Sequence, residues 1–344
     1  MAEVKYQRIA TEEAWATQEL LDGYKRILED GSYDDPGFIS LWGHYSGNLT
    51  DRPLFIRNRL PDVGEKRIKD MDETGIARQI LMLTSPGVQV FDRDTAIGLA
   101  RDSNDQLDVA IRKYPDRYSG LAAFAPQDPA DAAKEIERGV SDLGLKGAIV
   151  NSHTHNEYLD DPKFYPIFEA CEALNVPLYI HPQTPSRQMI QPFLERGLDG
   201  AIYGFSVETG LHLLRIIVAG VFDRYPKLQI VVGHLGEGLP FWLYRLDYMH
   251  AAGMKAGRYD SIKPLEKTVS EYMQQNITVT TSGVPWAPSI MLCQQVLGMD
   301  RVLYAMDYPY QFVQKEVDLS DALPISDNDK LKFFQTNAER VFNL

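Results

Sequence analysis

The chain has 344 residues, 44% hydrophobic and 24% charged, the balance of a water-exposed globular fold whose core is large enough to need no covalent staples. A formal net charge of −13 argues against nucleic acid and anionic membranes as partners, but leaves room for a small anionic substrate met by a few local arginines. The first fifteen residues carry no secretory apolar run, the longest apolar run (213–222) is too short to span a bilayer, and Cys171 and Cys293 read as reduced and buried, so the expected location is the cytoplasm.

Eight short apolar runs follow in chain order: RIATEEAW (8–15), QILMLTS (79–85), SGLAAFAP (119–126), GAIVNSH (147–153), PLYIHP (177–182), QIVVGHLG (229–236), ITVTTSG (277–283) and VLYAMDYP (302–309). Most are continuous rather than alternating, as in strands buried on both faces of a parallel sheet. Helical spacing fills the intervals at 95–115, 131–144, 164–175 and 212–226, with Pro115 as a stop and Gly144 as a C-cap. Eight strand–helix units predict one (β/α)₈ TIM barrel over residues 1–344, with an open doubly wound sheet as the other reading of the same pattern. Residues 16–75 and 183–211 exceed what a minimal barrel needs. They follow the first and fifth strands, so we expect insertions that cap the mouth of the barrel.

Several strands end in a side chain able to bind a metal or move a proton. Glu12 and Glu13 lie in the first, His181 ends the fifth, His234 the sixth and Asp307 the eighth. C-terminal strand ends converge on one mouth in such a barrel. Taken singly, a strand-end His is more often a satisfied structural group, and a strand-end Asp is often a helix cap. The conjunction of IHP, GHLGEG and MDYP carries the argument. Carboxylates with imidazole suit Mn²⁺ or Zn²⁺, and the set contains no thiolate of the kind structural zinc sites use. His153 and His155 fall just past the fourth strand, with a turn role as plausible as a site role, while His212 and His250 read as structural or surface residues.

The segments IATEEAW, LYIHPQTP, VVGHLGEGLPFWLYRLD, YAMDYPYQ and FFQTNAERVF span the chain. Together they resemble the decarboxylase branch of the amidohydrolase superfamily, the group of aminocarboxymuconate-semialdehyde and γ-resorcylate decarboxylases. EEAW, SLWGHY, NSHT, GLDGAIYGF and AMDYPYQ are most similar to members that act on 5-carboxyvanillate. Many superfamily members carry His-x-His in the first strand; here the positions read Glu12, Glu13 and Ala14, and alanine cannot ligate. A missing protein ligand leaves room for an ortho-hydroxy aryl carboxylate to chelate an ion through two oxygens.

The resemblance implies one divalent ion, Mn²⁺ favoured over Zn²⁺, held by Glu12, His181 and Asp307, with no organic cofactor. It implies Asp307 as proton donor to the ring carbon, His234 as the alternative acid, and Glu237 as the group orienting His234. Arg52 and Arg245 are implied to pair with substrate carboxylates, with Thr84, Phe205 and Tyr310 as further contacts. A homodimer is the expected assembly. The competing readings are a metal-dependent hydrolase or lactonase, a hydratase of the same superfamily, and a non-catalytic binding protein on a barrel scaffold.

Overall fold

A computed structural model describes residues 6–344. The first strand, β1 (Arg8–Trp15), pairs in parallel with β2 (Ile76–Leu83), which pairs with the segment Tyr118–Gly120. Ala122–Ala123 continues that segment into the next sheet, and we treat the two pieces as one strand, β3. The parallel order then runs through β4 (Ala148–Asn151), β5 (Leu178–His181), β6 (Ile230–Val232), β7 (Ile277–Thr280) and β8 (Val302–Leu303). Leu121 joins the two sheets by donating to Leu81 O (2.9 Å), and Ala122 donates to Gly147 O (2.8 Å). The last seam closes where Thr11 N–H donates to Tyr304 O (3.1 Å) and Ala14 N–H to Tyr308 O (2.7 Å), so eight strands form a closed barrel. The strands are almost wholly buried, as continuous apolar runs require.

Helices fill the intervals. Residues 16–75 are not an irregular cap: they fold into α1 (Gln18–Asp30), α2 (Pro36–Gly47), α3 (Asp51–Arg59) and α4 (Glu65–Thr74). The start signals are ordinary ones. Thr17 accepts from Leu20 N–H to cap α1, and Asp35 accepts from Phe38 N–H ahead of Pro36 to cap α2. Tyr24 and Trp42 then bury their rings together, 4.5 Å apart, and tie both helices to the loop after β2 through Tyr24 OH to Gly87 O and Trp42 Nε1 to Ser85 O.

α5 (Arg93–Lys113), α6 (Pro129–Ser141) and α7 (Tyr165–Ala173) match the expected helices, although α6 stops three residues short of Gly144. The segment after β5 is a loop only at first. α8 (Gly204–Val218) begins eight residues before the expected helix and carries Phe205 into the mouth. α9 (Leu239–Ala256) follows β6. The eighth strand is shorter than VLYAMDYP predicts. Beyond Leu303 the peptide donors turn elsewhere: Tyr304 N–H to Phe333 O, Ala305 N–H to Thr281 Oγ1, and the N–H groups of Met306 and Tyr308 to Glu13. Both cysteines are free and buried, and among the described residues no helix is long and apolar enough to cross a membrane.

Candidate metal and substrate site

An extra residue in β1 between Ala10 and Glu13, where the register against β2 shifts, turns Glu12 inward toward Tyr179 and Thr280, while Glu13 faces the other way, toward Gln79. Glu12 is 1% exposed. Its Oε2 accepts from Thr280 Oγ1 (2.6 Å) and from Tyr179 OH, whose own strand position faces inward two residues before His181. Its other oxygen, Oε1, is buried and has no hydrogen-bond partner. Such an orphan is costly unless something charged or protonated meets it. β6 ends directly against this carboxylate: a Cβ on Gly233 would lie 2.6 Å from Glu12 Oε2, so any side chain there would push the carboxylate aside.

Two imidazoles face the orphaned oxygen. His181 Nε2 lies 3.5 Å and His234 Nε2 3.6 Å from Glu12 Oε1. In each ring the other nitrogen is already committed, His181 Nδ1 to Pro182 O (2.9 Å) and His234 Nδ1 to Glu237 Oε1 (2.8 Å). Those bonds place the Nδ1 proton outward and aim Nε2 at the centre. Electrostatics separates the pair. Burial lowers the His181 pKa and keeps that ring neutral. Burial also pulls His234 down, but the carboxylates of Glu237 and Glu12 outweigh it and hold the ring up at about 10.

Asp307 enters from the end of β8 with φ +73°, a left-handed conformation unusual for a residue with a side chain. Withdrawal from water pushes its carboxyl up; His234 opposes the shift and Glu12 adds to it. Ligand atoms of Glu12, His234 and Asp307 all lie within 4.8 Å of one another. Four of the residues singled out in the sequence therefore meet at one point: Glu12, His181, His234 and Asp307. The tightest trio contains His234, whereas the sequence reading names His181 as the imidazole ligand.

Above the cluster is a cavity with an aromatic wall. His181, His234, Asp307, Phe205, Tyr310 and Arg52 line it, together with Leu41, Tyr45, Ser85, Ala201 and Gln311. Tyr45 meets Tyr310 edge-on at 5.7 Å, and Tyr310 OH shares a 2.6 Å hydrogen bond with Thr84 Oγ1. Arg52, at the start of α3, donates to Tyr310 O (2.9 Å), and no carboxylate among the described residues forms an ion pair with it. Its guanidinium is thus free for an anion at the mouth.

Arg245 departs from expectation. It is exposed on α9 and is not among the residues lining the cavity, because that helix packs inward through Leu239, Pro240 and Leu243. His153 is a structural residue: Nδ1 accepts from Asn156 N–H and Nε2 faces Thr184 O, both at 3.2 Å. Sequence reasoning did not single out Tyr179, Thr280, Ser85 or Gln311. Tyr179 was within reach of the same alternation that placed His181, and Tyr45 lies in the aromatic SLWGHY segment.

Comparison with known proteins agrees with this geometry. The family described as Amidohydrolase matches residues 39–344. A crystal structure of 5-carboxyvanillate decarboxylase from Novosphingobium aromaticivorans, with bound manganese and 4-hydroxy-3-methoxy-5-nitrobenzoic acid, is 56% identical, covers 100% of this chain and 98% of its own, and superposes with a TM-score of 0.98. The 5-carboxyvanillate decarboxylase of Sphingomonas paucimobilis is 40% identical over 99% of this chain and 100% of that one, with a TM-score of 0.92. A γ-resorcylate decarboxylase from a Rhizobium species is 34% identical over 98% of both chains.

Proposed function

The chain belongs to the amidohydrolase family, and from that footing we propose that it is a metal-dependent decarboxylase. Its substrate is an ortho-hydroxy aryl carboxylate, 5-carboxyvanillate, which it converts to vanillate and CO₂ without oxidation. The observation that carries this reading is the orphaned oxygen of Glu12 facing two Nε2 atoms at the floor of an aromatic cavity with an unpaired arginine. The hydrolase and hydratase readings have no comparable support, and Ala14 leaves the first strand one ligand short of a hydrolase set.

The donor set fits a divalent ion, Mn²⁺ above Zn²⁺, since carboxylate oxygens dominate and no thiolate is near. Glu12, His181 and Asp307 would hold it. His181 qualifies because its neutral ring presents an Nε2 lone pair; His234 is set apart because Glu237 and Glu12 keep it protonated. When bound, the ion supplies Lewis-acid polarisation of the substrate's phenolic oxygen and adjacent carboxylate.

The chain's residues do the rest. Tyr45, Phe205 and Tyr310 confine the ring, and Arg52 takes a carboxylate at the mouth. Asp307 delivers the proton to the ring carbon that bears the departing carboxylate; in the metal-free site burial pushes its carboxyl up, His234 opposes that shift and Glu12 adds to it. Loss of CO₂ then restores aromaticity. His234, a fixed cation beside Asp307, orients the carboxylate that leaves. The expected assembly is a homodimer, with the exposed Phe241, Trp242, Tyr244 and Tyr248 of α9 as the surface it covers; sedimentation as a monomer at micromolar concentration would reject that.

Two variants test the proton assignment. Asp307→Asn abolishes CO₂ release from 5-carboxyvanillate while the protein stays folded. His234→Asn lowers turnover but leaves a measurable rate. An active Asp307→Asn enzyme, or a His234→Asn enzyme as dead as it, removes Asp307 as the sole acid.

A further inference from the structure

Glu13 sits back to back with Glu12 and takes no part in the cavity. It is completely buried, on a strand whose next residue seals the barrel. Its two carboxyl oxygens accept from backbone groups on either side of Asp307: Oε1 from Met306 N–H at 2.9 Å, and Oε2 from Tyr308 N–H at 3.2 Å. Gln79 Nε2 adds a third donor at 3.3 Å. Ala14 N–H, one residue along, donates to Tyr308 O at 2.7 Å. The peptide groups before and after Asp307 are thus gripped by β1, while Asp307 itself holds the left-handed φ of +73°.

The grip has its own support. Arg67 is fully buried and donates to Ala14 O (2.6 Å), Gln79 Oε1 (3.3 Å) and Asp62 O (3.0 Å). Its guanidinium lies over the Tyr308 ring, 4.5 Å from the centroid. Tyr308 OH donates to Asp70 (2.7 Å), which Arg59 clamps in turn. A residue with a side chain stays in the left-handed region only when its surroundings over-determine it. Here Glu13 and Ala14 of β1 hold the turn on one side, Asp70 takes the Tyr308 hydroxyl, and Gln311 N–H closes on Asp307 O at 2.7 Å.

We propose that Glu13 is a positioning residue, whose carboxyl group fixes the turn 306–308 and thereby aims Asp307 at the substrate. The inference rests on the decarboxylase reading for its kinetic consequence, but the geometry it claims does not. Glu13→Gln is nearly isosteric: one oxygen still accepts, and the amide nitrogen now faces a peptide N–H, so one side of the grip opens. Glu13→Ala opens both.

Three readouts on the Mn²⁺-loaded full chain test this. First, kcat with 5-carboxyvanillate falls roughly 10–100-fold in Glu13→Gln, as for other outer partners of a metal site, while KM moves less than about threefold. Second, the electron paramagnetic resonance spectrum of bound Mn²⁺ changes at full occupancy, because a ligand carboxylate has shifted. Third, a crystal structure of the variant shows Asp307 out of its left-handed conformation. A merely structural residue would lower the thermal midpoint and move none of the three. If kcat stays within about twofold and the Asp307 backbone is unchanged, the proposal is overturned. If wild type itself releases no CO₂, the functional reading fails, and the variant's crystal structure still decides the role of Glu13. Should Glu13→Ala not fold, Glu13→Gln carries the test alone.

Discussion

His212 is buried just past the midpoint of α8, and its titration should set part of the acid stability of the fold. Its Nε2 accepts from Leu159 N–H (3.0 Å), so the ring proton is on Nδ1, which faces Ser152 Oγ (3.2 Å). Ser152 in turn donates to Glu208 (3.1 Å), and Glu208 also accepts from Tyr158 OH and Ser186 N–H. Adding a proton to Nε2 would set it against the Leu159 N–H and place a charge in a site with no exposure. Burial, with His153 and Arg215 nearby, accordingly depresses the His212 pKa to about 3. A histidine held neutral in the fold but free to charge in the unfolded chain contributes stability above its ordinary pKa. That stability is lost as pH falls through the window from 6.5 toward 3. At pH 5 the unfolded chain has gained about 1.5 pH units of protonation at ~1.36 kcal/mol each, roughly 2 kcal/mol. The stability gap between wild type and His212→Gln should therefore narrow by about 2 kcal/mol from pH 7.5 to pH 5. Urea unfolding of both proteins at the two pH values measures it, and the difference cancels the titrating groups that lie outside the His212–Ser152–Glu208 network. A gap that stays constant, or widens in acid, refutes the assignment of a buried neutral His212.

Two further substitutions probe the site. Tyr179→Phe removes a hydroxyl that donates to Glu12; Mn²⁺ affinity should change about 10-fold by titration, and an unaltered affinity would show that the tyrosine does not tune the ligand. Arg52→Gln removes the one unpaired cation at the mouth. KM for a dicarboxylate substrate should rise about 10–100-fold, equivalent to a charged hydrogen bond, with a smaller rise for a monocarboxylate. Equal changes for both would place Arg52 away from the second carboxylate.

The barrel was legible because its signal is redundant. Eight continuous apolar runs, each followed by a helical pattern, leave few other topologies, and all eight contain observed strand residues. The four chemical residues at the mouth were legible for the same reason: strand ends converge, so sequence position alone predicted that Glu12, His181, His234 and Asp307 would meet. Boundaries were not legible where side chains compete with the ladder. The strand-like VLYAMDYP stops at Leu303 because groups distant in the chain take its peptide donors, Phe333 O that of Tyr304 and the Glu13 carboxyl those of Met306 and Tyr308. Long-range capture of this kind leaves no local periodicity to read. The helical character of 16–75 was masked by Gly, Asp and aromatic residues, which here serve as caps and as the Tyr24–Trp42 contact. Arg245 is a different case: a motif match gave a role, and the packed face of α9 turns that side chain away from the cavity of its own chain.

The two histidines show what coordinates add to a motif. In the sequence both are strand-end imidazoles of equal standing. In the fold one leans on a backbone carbonyl and the other on Glu237; burial lowers the pKa of His181, whereas the carboxylates of Glu237 and Glu12 raise that of His234.

The central claim, that this site binds a divalent ion in order to decarboxylate an aryl substrate, is tested most directly by CO₂ release from 5-carboxyvanillate before and after metal removal. Protein stripped by a chelator to verified metal-free state should release none, and stoichiometric Mn²⁺ should restore the rate. Full activity in the metal-free protein, or no CO₂ release from the Mn²⁺-loaded one, would contradict the account.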